Sequence, residues 1–195
     1  MLLRSFFETA AGWGAVVTDG SAVLRVLLPF ATPERQDMEK VLKRSVPEAL
    51  APGALSEAAA AAIVGYFRGD RNPLSFPLDL SRTTPFTRAV YGVVCNIPYG
   101  SVLTYAEVAR RAGAAGAARG VGGALARNPV PLIVPCHRVV AADGRLTGFT
   151  APGGIEAKRW LLNVEKVPMD EKGRVRGTEN SRNPLVLHSH ENVLI

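Results

Sequence analysis

The chain is poor in the residues that bind metals and build disulfide scaffolds. In 195 residues it has two cysteines, Cys95 and Cys136, and three histidines, His137, His188 and His190. No Cys-x-x-Cys pair and no His-Glu-x-x-His spacing occurs, so a zinc site lacks its usual ligands and no metal is expected. Two cysteines make no disulfide framework, and a cytoplasmic location, where thiols stay reduced, is the expectation. Long apolar runs are missing as well. Nothing approaches the roughly 20 residues that cross a bilayer, and the opening MLLRSFFETA meets charge too early to read as a signal peptide. Internal repeats are absent.

What is present is an ordinary globular composition, 47% hydrophobic, with a net charge of +6 that is unevenly spread. Residues 1–83 balance nine Lys/Arg against nine Asp/Glu, and residues 168–195 balance four against four. Residues 84–167 carry ten basic against four acidic residues, so the whole excess sits around Cys136. Such a concentration is the footprint of a polyanion binder, although basic solvated faces also occur without one.

Along the chain, WGAVVTDGSAVLRVLLPF holds two β-rich runs around Asp19-Gly20, a hairpin signal. Thr32-Pro33 is expected to cap and open a helix. SEAAAAAIVGYF, from Ser56, predicts a second helix with Ala59, Ile63 and Tyr66 or Phe67 buried. RNPLSFPLDL, over 71–82, carries two prolines and reads as a linker. Thr84-Pro85 opens a buried helix that contains Cys95, which lacks cationic neighbours and reads as a structural thiol. Thr104-x-x-Glu107 is a capping box for a short helix closed by Gly113.

ARGVGGALARNP then completes a helix-turn-helix spacing. Its glycines, Gly120, Gly122 and Gly123, each cost up to about 1 kcal/mol of helix propensity. They suit either close approach to a groove, with Arg119 projecting, or tight helix packing. Asn128 in a left-handed C-terminal position and Pro129 should end this helix. PLIV reads as a buried strand or extended segment, PCHR as a turn, VVAADGRLTGF as a hairpin, and IEAKRWLLNVE as a last helix with Ala157, Trp160 or Leu161 and Val164 inward. The fold class is therefore α/β (α+β). A small N-terminal α/β domain with an antiparallel sheet (1–75) precedes a mostly helical domain with the helix-turn-helix (76–167) and a weakly ordered tail (168–195).

Cys136 stands behind a proline, directly before His137 and Arg138. A cysteine is most often a small buried hydrophobe, but neighbouring positive charge stabilises a thiolate and makes a nucleophile. The residues alone leave both readings open.

Taken in order, LTYAEVA (103–109), ARGVGGALARNP (118–129), RNPVPLIVPCHRVV (127–140) and KRWLLNVE (158–165) resemble the catalytic domain of the O6-alkylguanine-DNA alkyltransferases. The resemblance implies that Cys136 takes an alkyl group from guanine O6 in double-stranded DNA, irreversibly and once per molecule, with no cofactor. It implies His137 as base through a water, Glu165 orienting His137, and Asn128 bracing the cysteine turn. Tyr105 would help protonate the guanine and crowd the phosphate of the rotated nucleotide. Arg119 would fill the gap left by the flipped base, and Gly122, Gly123 and Arg127 would face DNA.

The carbonyls of Cys136 and Val139 would accept from the guanine amine, with Phe149 and Thr150 in the alkyl pocket. There the chain departs from the family pattern: GFTAPGG has Phe149 where tyrosine is usual and two extra residues, Ala151 and Pro152. A monomer is expected, and O4-alkylthymine is a further candidate lesion. The alternative is a non-catalytic alkyl-lesion-binding protein that signals to other repair pathways. Such relatives replace the cysteine, commonly with tryptophan, which Cys136 argues against. A helix-turn-helix regulator and a Cys136-His137 hydrolase are weaker readings.

Overall fold

The computed structural model describes residues 1–30, 32–47 and 51–176. Three antiparallel strands, β1 (Leu3–Thr9), β2 (Gly12–Thr18) and β3 (Val23–Leu27), form a sheet in that order. The Asp19-Gly20 turn joins β2 to β3 as expected, with the Asp19 carboxylate accepting from the amides of Ser21 and Ala22. Strand β1 was not legible: LRSFFET alternates only partly, and its pairing with β2, Leu3 opposite Thr18 through Thr9 opposite Gly12, decides its conformation.

Helices α1 (Arg35–Ser45) and α2 (Ala54–Phe67) pack on this sheet. Thr32 does not cap α1, which starts three residues later. Its hydroxyl instead donates to the carbonyls of Trp13, at 2.5 Å, and Pro29, tying the segment to β2. The stretch over 71–82 is more than a linker. Val23 N–H donates to the Pro77 carbonyl, and Leu78 and Leu80 are buried.

The second half holds α3 (Pro85–Cys95), capped by Thr84, then β4 (Leu103–Thr104), α4 (Tyr105–Arg111) and α5 (Ala118–Ala126). A single 3₁₀ turn (Cys136–Arg138), β5 (Val139–Val140) and α6 (Gly154–Val164) follow. The Thr104–Glu107 capping box is formed, and β4 pairs in parallel with β5. One hydrophobic cluster runs through both halves, from Val16, Leu28 and Ile63 to Val90, Leu125, Val139 and Leu161. Phe30 and Phe67 close it against Trp160 of α6, at ring separations of 5.5 and 5.2 Å.

Four expectations fail locally. PLIV is a buried turn, because prolines at 129, 131 and 135 remove ladder donors and Leu132 adopts φ +75°. Asn128 does not enter the left-handed region, since α5 already ends at Ala126 and Asn128 works through its side chain. Of the hairpin over 139–149 only the turn closes, by Ala141 and Gly144. Residues 168–176, expected in a weakly ordered tail, turn back so that Val175 is buried beside Val140 and Leu162. The remainder of that expectation, 177–195, lies outside the described residues.

Candidate active site

The cysteine turn is held from three sides. The Cys136 N–H donates to the Val134 carbonyl at 2.8 Å, and Arg138 N–H to Pro135 at 2.9 Å. Asn128 Nδ2 donates to the same Val134 carbonyl at 2.8 Å while its Oδ1 accepts from Val130 N–H at 3.0 Å. One side chain thereby fastens the end of α5 to the segment entering the turn. From the sheet side, Val26 N–H of β3 donates to the Pro129 carbonyl at 2.9 Å. Both halves thus position the loop that carries the thiol.

Behind the turn, Glu165 closes α6 and is 2% exposed, and His137 is fully buried. His137 Nε2 lies 2.7 Å from Glu165 Oε1. Arg138 clamps the carboxylate through Nε and Nη2 at 2.9–3.0 Å, and Gly100 N–H donates to Oε2 at 2.9 Å. Burial alone raises the Glu165 carboxyl, but the hydrogen bonds from His137 and Arg138 and the charge of Arg138 outweigh it and hold it at about 2. An ionised carboxylate only accepts, so Nε2 carries the hydrogen-bonded proton and Nδ1 presents a lone pair. That Nδ1 is buried and makes no hydrogen bond among the described residues.

His137 is held below its usual pKa, chiefly by burial, so it is neutral and able to take a proton. Burial also pushes the Cys136 thiol up, while the Asn128 amide, the Lys158 charge and local backbone N–H groups pull it down. At neutral pH the resting sulfur is therefore a thiol with a base at hand. Cys95, by contrast, is driven to about 12 by burial and sits against the Ile133 carbonyl at 3.6 Å, as a structural thiol should.

Two residues of this site were not singled out from the sequence. Tyr66 of α2 donates to Glu165 Oε1 at 2.9 Å, where helical periodicity offered only a core residue. Lys158 of α6 is fully buried, donating to the carbonyls of Val139 at 2.5 Å and Thr147 at 2.7 Å. Burial brings its ammonium down to about 8, and the neighbouring Cys136 opposes the drop. A charged residue one position from the apolar stripe carried a weak signal at best.

On the pocket side, Cys136, Asn128, Arg127, Phe149 and Thr150 line a cavity of about 350 Å³, large enough for a small organic ligand. The N-terminal half contributes Leu28 and Met38 to its lining. Thr150 is exposed and gives its hydroxyl proton to the Ala126 carbonyl at 2.8 Å. Tyr105 donates to Thr147 at 3.0 Å and crosses the loop at Gly148. There φ is +66° and an added Cβ would come within 2.6 Å of the Tyr105 hydroxyl. The Val139 carbonyl keeps a second lone pair beside the Lys158 bond.

Arg119 and Arg127 are exposed near the two ends of α5. The glycines of that helix divide. An added Cβ at Gly120 would press on the Phe86 ring at 3.3 Å, so this glycine serves packing. At Gly122 and Gly123 the nearest atoms are 3.9 and 3.7 Å away, so internal packing does not require them. Gly122→Ala is accordingly expected to leave stability unchanged or raise it by up to about 1 kcal/mol, while weakening duplex binding. Denaturant titration and DNA-binding isotherms on the same preparation check both halves.

Residues 85–167 match the sequence model of the family described as 6-O-methylguanine DNA methyltransferase, DNA binding domain. A methylated-DNA–protein-cysteine methyltransferase of Mycobacterium bovis is 42% identical over 158 residues, covering 81% of this chain and 85% of the relative. The crystal structure of the Mycobacterium tuberculosis O6-methylguanine methyltransferase superposes with a TM-score of 0.70 at 34% identity, covering 87% of this chain and 97% of that one. A structure of the Mycobacterium tuberculosis protein in complex with DNA gives 0.68 at 33% identity, over 84% and 92%. With the thiol, its imidazole and the buried carboxylate in these positions, the chain belongs to the methylated-DNA–protein-cysteine methyltransferase family.

Proposed function

We propose that this protein repairs DNA by direct reversal, moving the alkyl group of O6-alkylguanine onto its own Cys136. The observation that carries the reading is the buried Cys136–His137–Glu165 arrangement, with a neutral imidazole whose Nε2 is engaged by the carboxylate and whose Nδ1 is free to accept. His137 takes the thiol proton through a water, and the thiolate attacks the alkyl carbon in line. The carbon–O6 bond breaks, its electron pair passes to the guanine, and a proton delivered with help from Tyr105 restores the base. Cys–SH plus O6-alkylguanine becomes Cys–S–alkyl plus guanine. The thioether is stable to thiols, so one molecule serves one lesion and no cofactor is consumed.

Access requires that the nucleotide leave the duplex, because the reacting carbon sits on the major-groove edge of the base, away from a helix that approaches the minor groove, and Cys136 is buried, at 8% exposure. Helix α5, with Gly122 and Gly123 uncovered, approaches the minor groove, and Arg119 fills the vacated stack. Arg127 adds phosphate attraction. Asn128 holds the cysteine turn, Phe149 and Thr150 bound the alkyl group, and Val139 accepts from the guanine amine. Tyr105 and Lys158 now share the Thr147 carbonyl, so Tyr105 must exchange that bond to reach the base. The protein acts as a monomer in this scheme.

The test is intact-protein and peptide mass spectrometry after mixing the protein with duplex containing one O6-methylguanine. A single methylene mass on the Cys136 peptide is the expected result. Tight lesion binding with no mass gain would favour the non-catalytic alternative.

A further inference from the structure

Tyr66 is the feature of the site that transfer chemistry has not absorbed. It comes from α2, seventy residues before Cys136 and outside the segment matched by the family's DNA-binding domain. It is 2% exposed, and its hydroxyl reaches the two groups on which proton removal depends: Glu165 Oε1 at 2.9 Å and His137 Nε2 at 3.2 Å. Its ring stands edge-on to His137 and to Tyr99, at centroid distances of 6.2 and 6.0 Å. A hydroxyl buried this deeply has to be satisfied, and an apolar α2 face would have been served by phenylalanine.

We propose that Tyr66 is a positioning residue of the Cys136–His137–Glu165 relay, contributed by the N-terminal half to hold the carboxylate and, through it, the proton-accepting face of His137. The inference rests on the transfer reading above. Its physical basis is competition at one oxygen. Oε1 accepts from Tyr66, from Arg138 and from His137 Nε2. The carboxylate is an acceptor only, and Nε2 already donates to it, so the phenolic proton also goes to Oε1. That donation disperses negative charge that would otherwise stabilise a protonated His137. Tyr66 thus keeps the imidazole neutral and leaves Nδ1 as the nitrogen with the lone pair.

The other charged or titratable groups around His137 are Arg138 and Lys158, which disfavour its protonation, and Cys136, with Tyr99 farther back. None of them donates a neutral hydroxyl to Oε1. Tyr66 also gives the N-terminal half a chemical part in the site, beyond the wall it lends to the alkyl pocket.

The experiment is the single-turnover rate of methyl transfer from O6-methylguanine duplex as a function of pH, for the full chain and its Tyr66→Phe variant. The variant keeps the ring contacts and loses only the hydroxyl. The acidic limb of the profile should move up by roughly half a pH unit to one unit, the size of one neutral hydrogen bond. A purely structural role would lower the rate evenly and leave the limb in place, which would overturn the proposal.

Site-specific 3-fluorotyrosine at position 66 provides the opposite sign without removing an atom. A more acidic phenol donates more strongly, so the limb should move down, and this arm remains informative if Tyr66→Phe does not fold. An unmoved limb with 3-fluorotyrosine counts against the proposal in the same way. Absence of methyl transfer by the unmodified protein at every pH would instead defeat the underlying transfer reading.

Discussion

The Cys136→Ala protein is expected to show no alkyl transfer while retaining duplex binding. In the proposed transfer the acceptor is a single atom, and no other described group can replace it. Cys95 is held at about 12 by burial and is tied to the Ile133 carbonyl rather than facing the cavity. Lys158 Nζ is occupied by two carbonyls. Binding, in contrast, is proposed to draw on the basic second half and on α5, which the substitution leaves alone. Affinity should fall steeply with added salt in both proteins, as counterion release requires. A Cys136→Ala protein that still cleared methylated guanine, or that gained a methyl mass elsewhere, would refute the assignment of the nucleophile.

Glu165→Ala is expected to give the largest loss of stability of any single change near the site, about 3–5 kcal/mol, the range for breaking a buried ion pair from one side. The carboxylate gathers Arg138, His137, Tyr66 and the Gly100 N–H, and its removal strands all four in a buried region. Urea unfolding of the variant against the parent measures this directly. A loss below about 1 kcal/mol, the range of exposed pairs, would show that the cluster contributes little.

The pH dependence carries a definite sign. Glu165 is held at about 2 in the folded chain against an ordinary 4.5, so its contribution is fully present above 4.5 and is lost as pH falls toward 2. His137 acts in the same direction, because a neutral buried imidazole must charge on acidification below its usual 6.5. Glu165→Gln should therefore be less stable at neutral pH and should flatten the acid side of the stability profile down to pH 2. An unchanged acid slope would contradict the assignment of that titration to Glu165.

The candidate site was largely legible in one dimension because its members are clustered. Cys136, His137 and Arg138 are adjacent, and Asn128 and Glu165 fall at the ends of segments whose order and spacing match a family pattern. Capping chemistry is equally local, so Thr84 and the Thr104–Glu107 box declared their helices. A helix start depends on a few consecutive residues whose dihedrals and donors are set by their own side chains.

Other features had no local signal because their causes are long-range. Strand β1 exists by pairing with β2, and Thr32 abandons a cap because the Trp13 carbonyl is closer to hand. Val175 is buried only because residues 168–176 fold back over Val140 and Leu162. The open alternative for the α5 glycines was settled by space: Gly120 faces Phe86, whereas Gly122 and Gly123 face nothing that a methyl group would disturb.

The sequence by itself determined the chemistry available, a thiol, an imidazole and a carboxylate at family spacing within a basic segment. The tertiary structure decided their protonation and their support. Burial keeps His137 neutral, Arg138 and His137 keep Glu165 charged, and Tyr66 and Lys158 arrive from helical positions that periodicity assigns to core or surface. The physical reason is that residue type and spacing are properties of the chain, whereas desolvation and hydrogen-bond partnership are properties of the packed interior, where groups distant in sequence share one low-dielectric space.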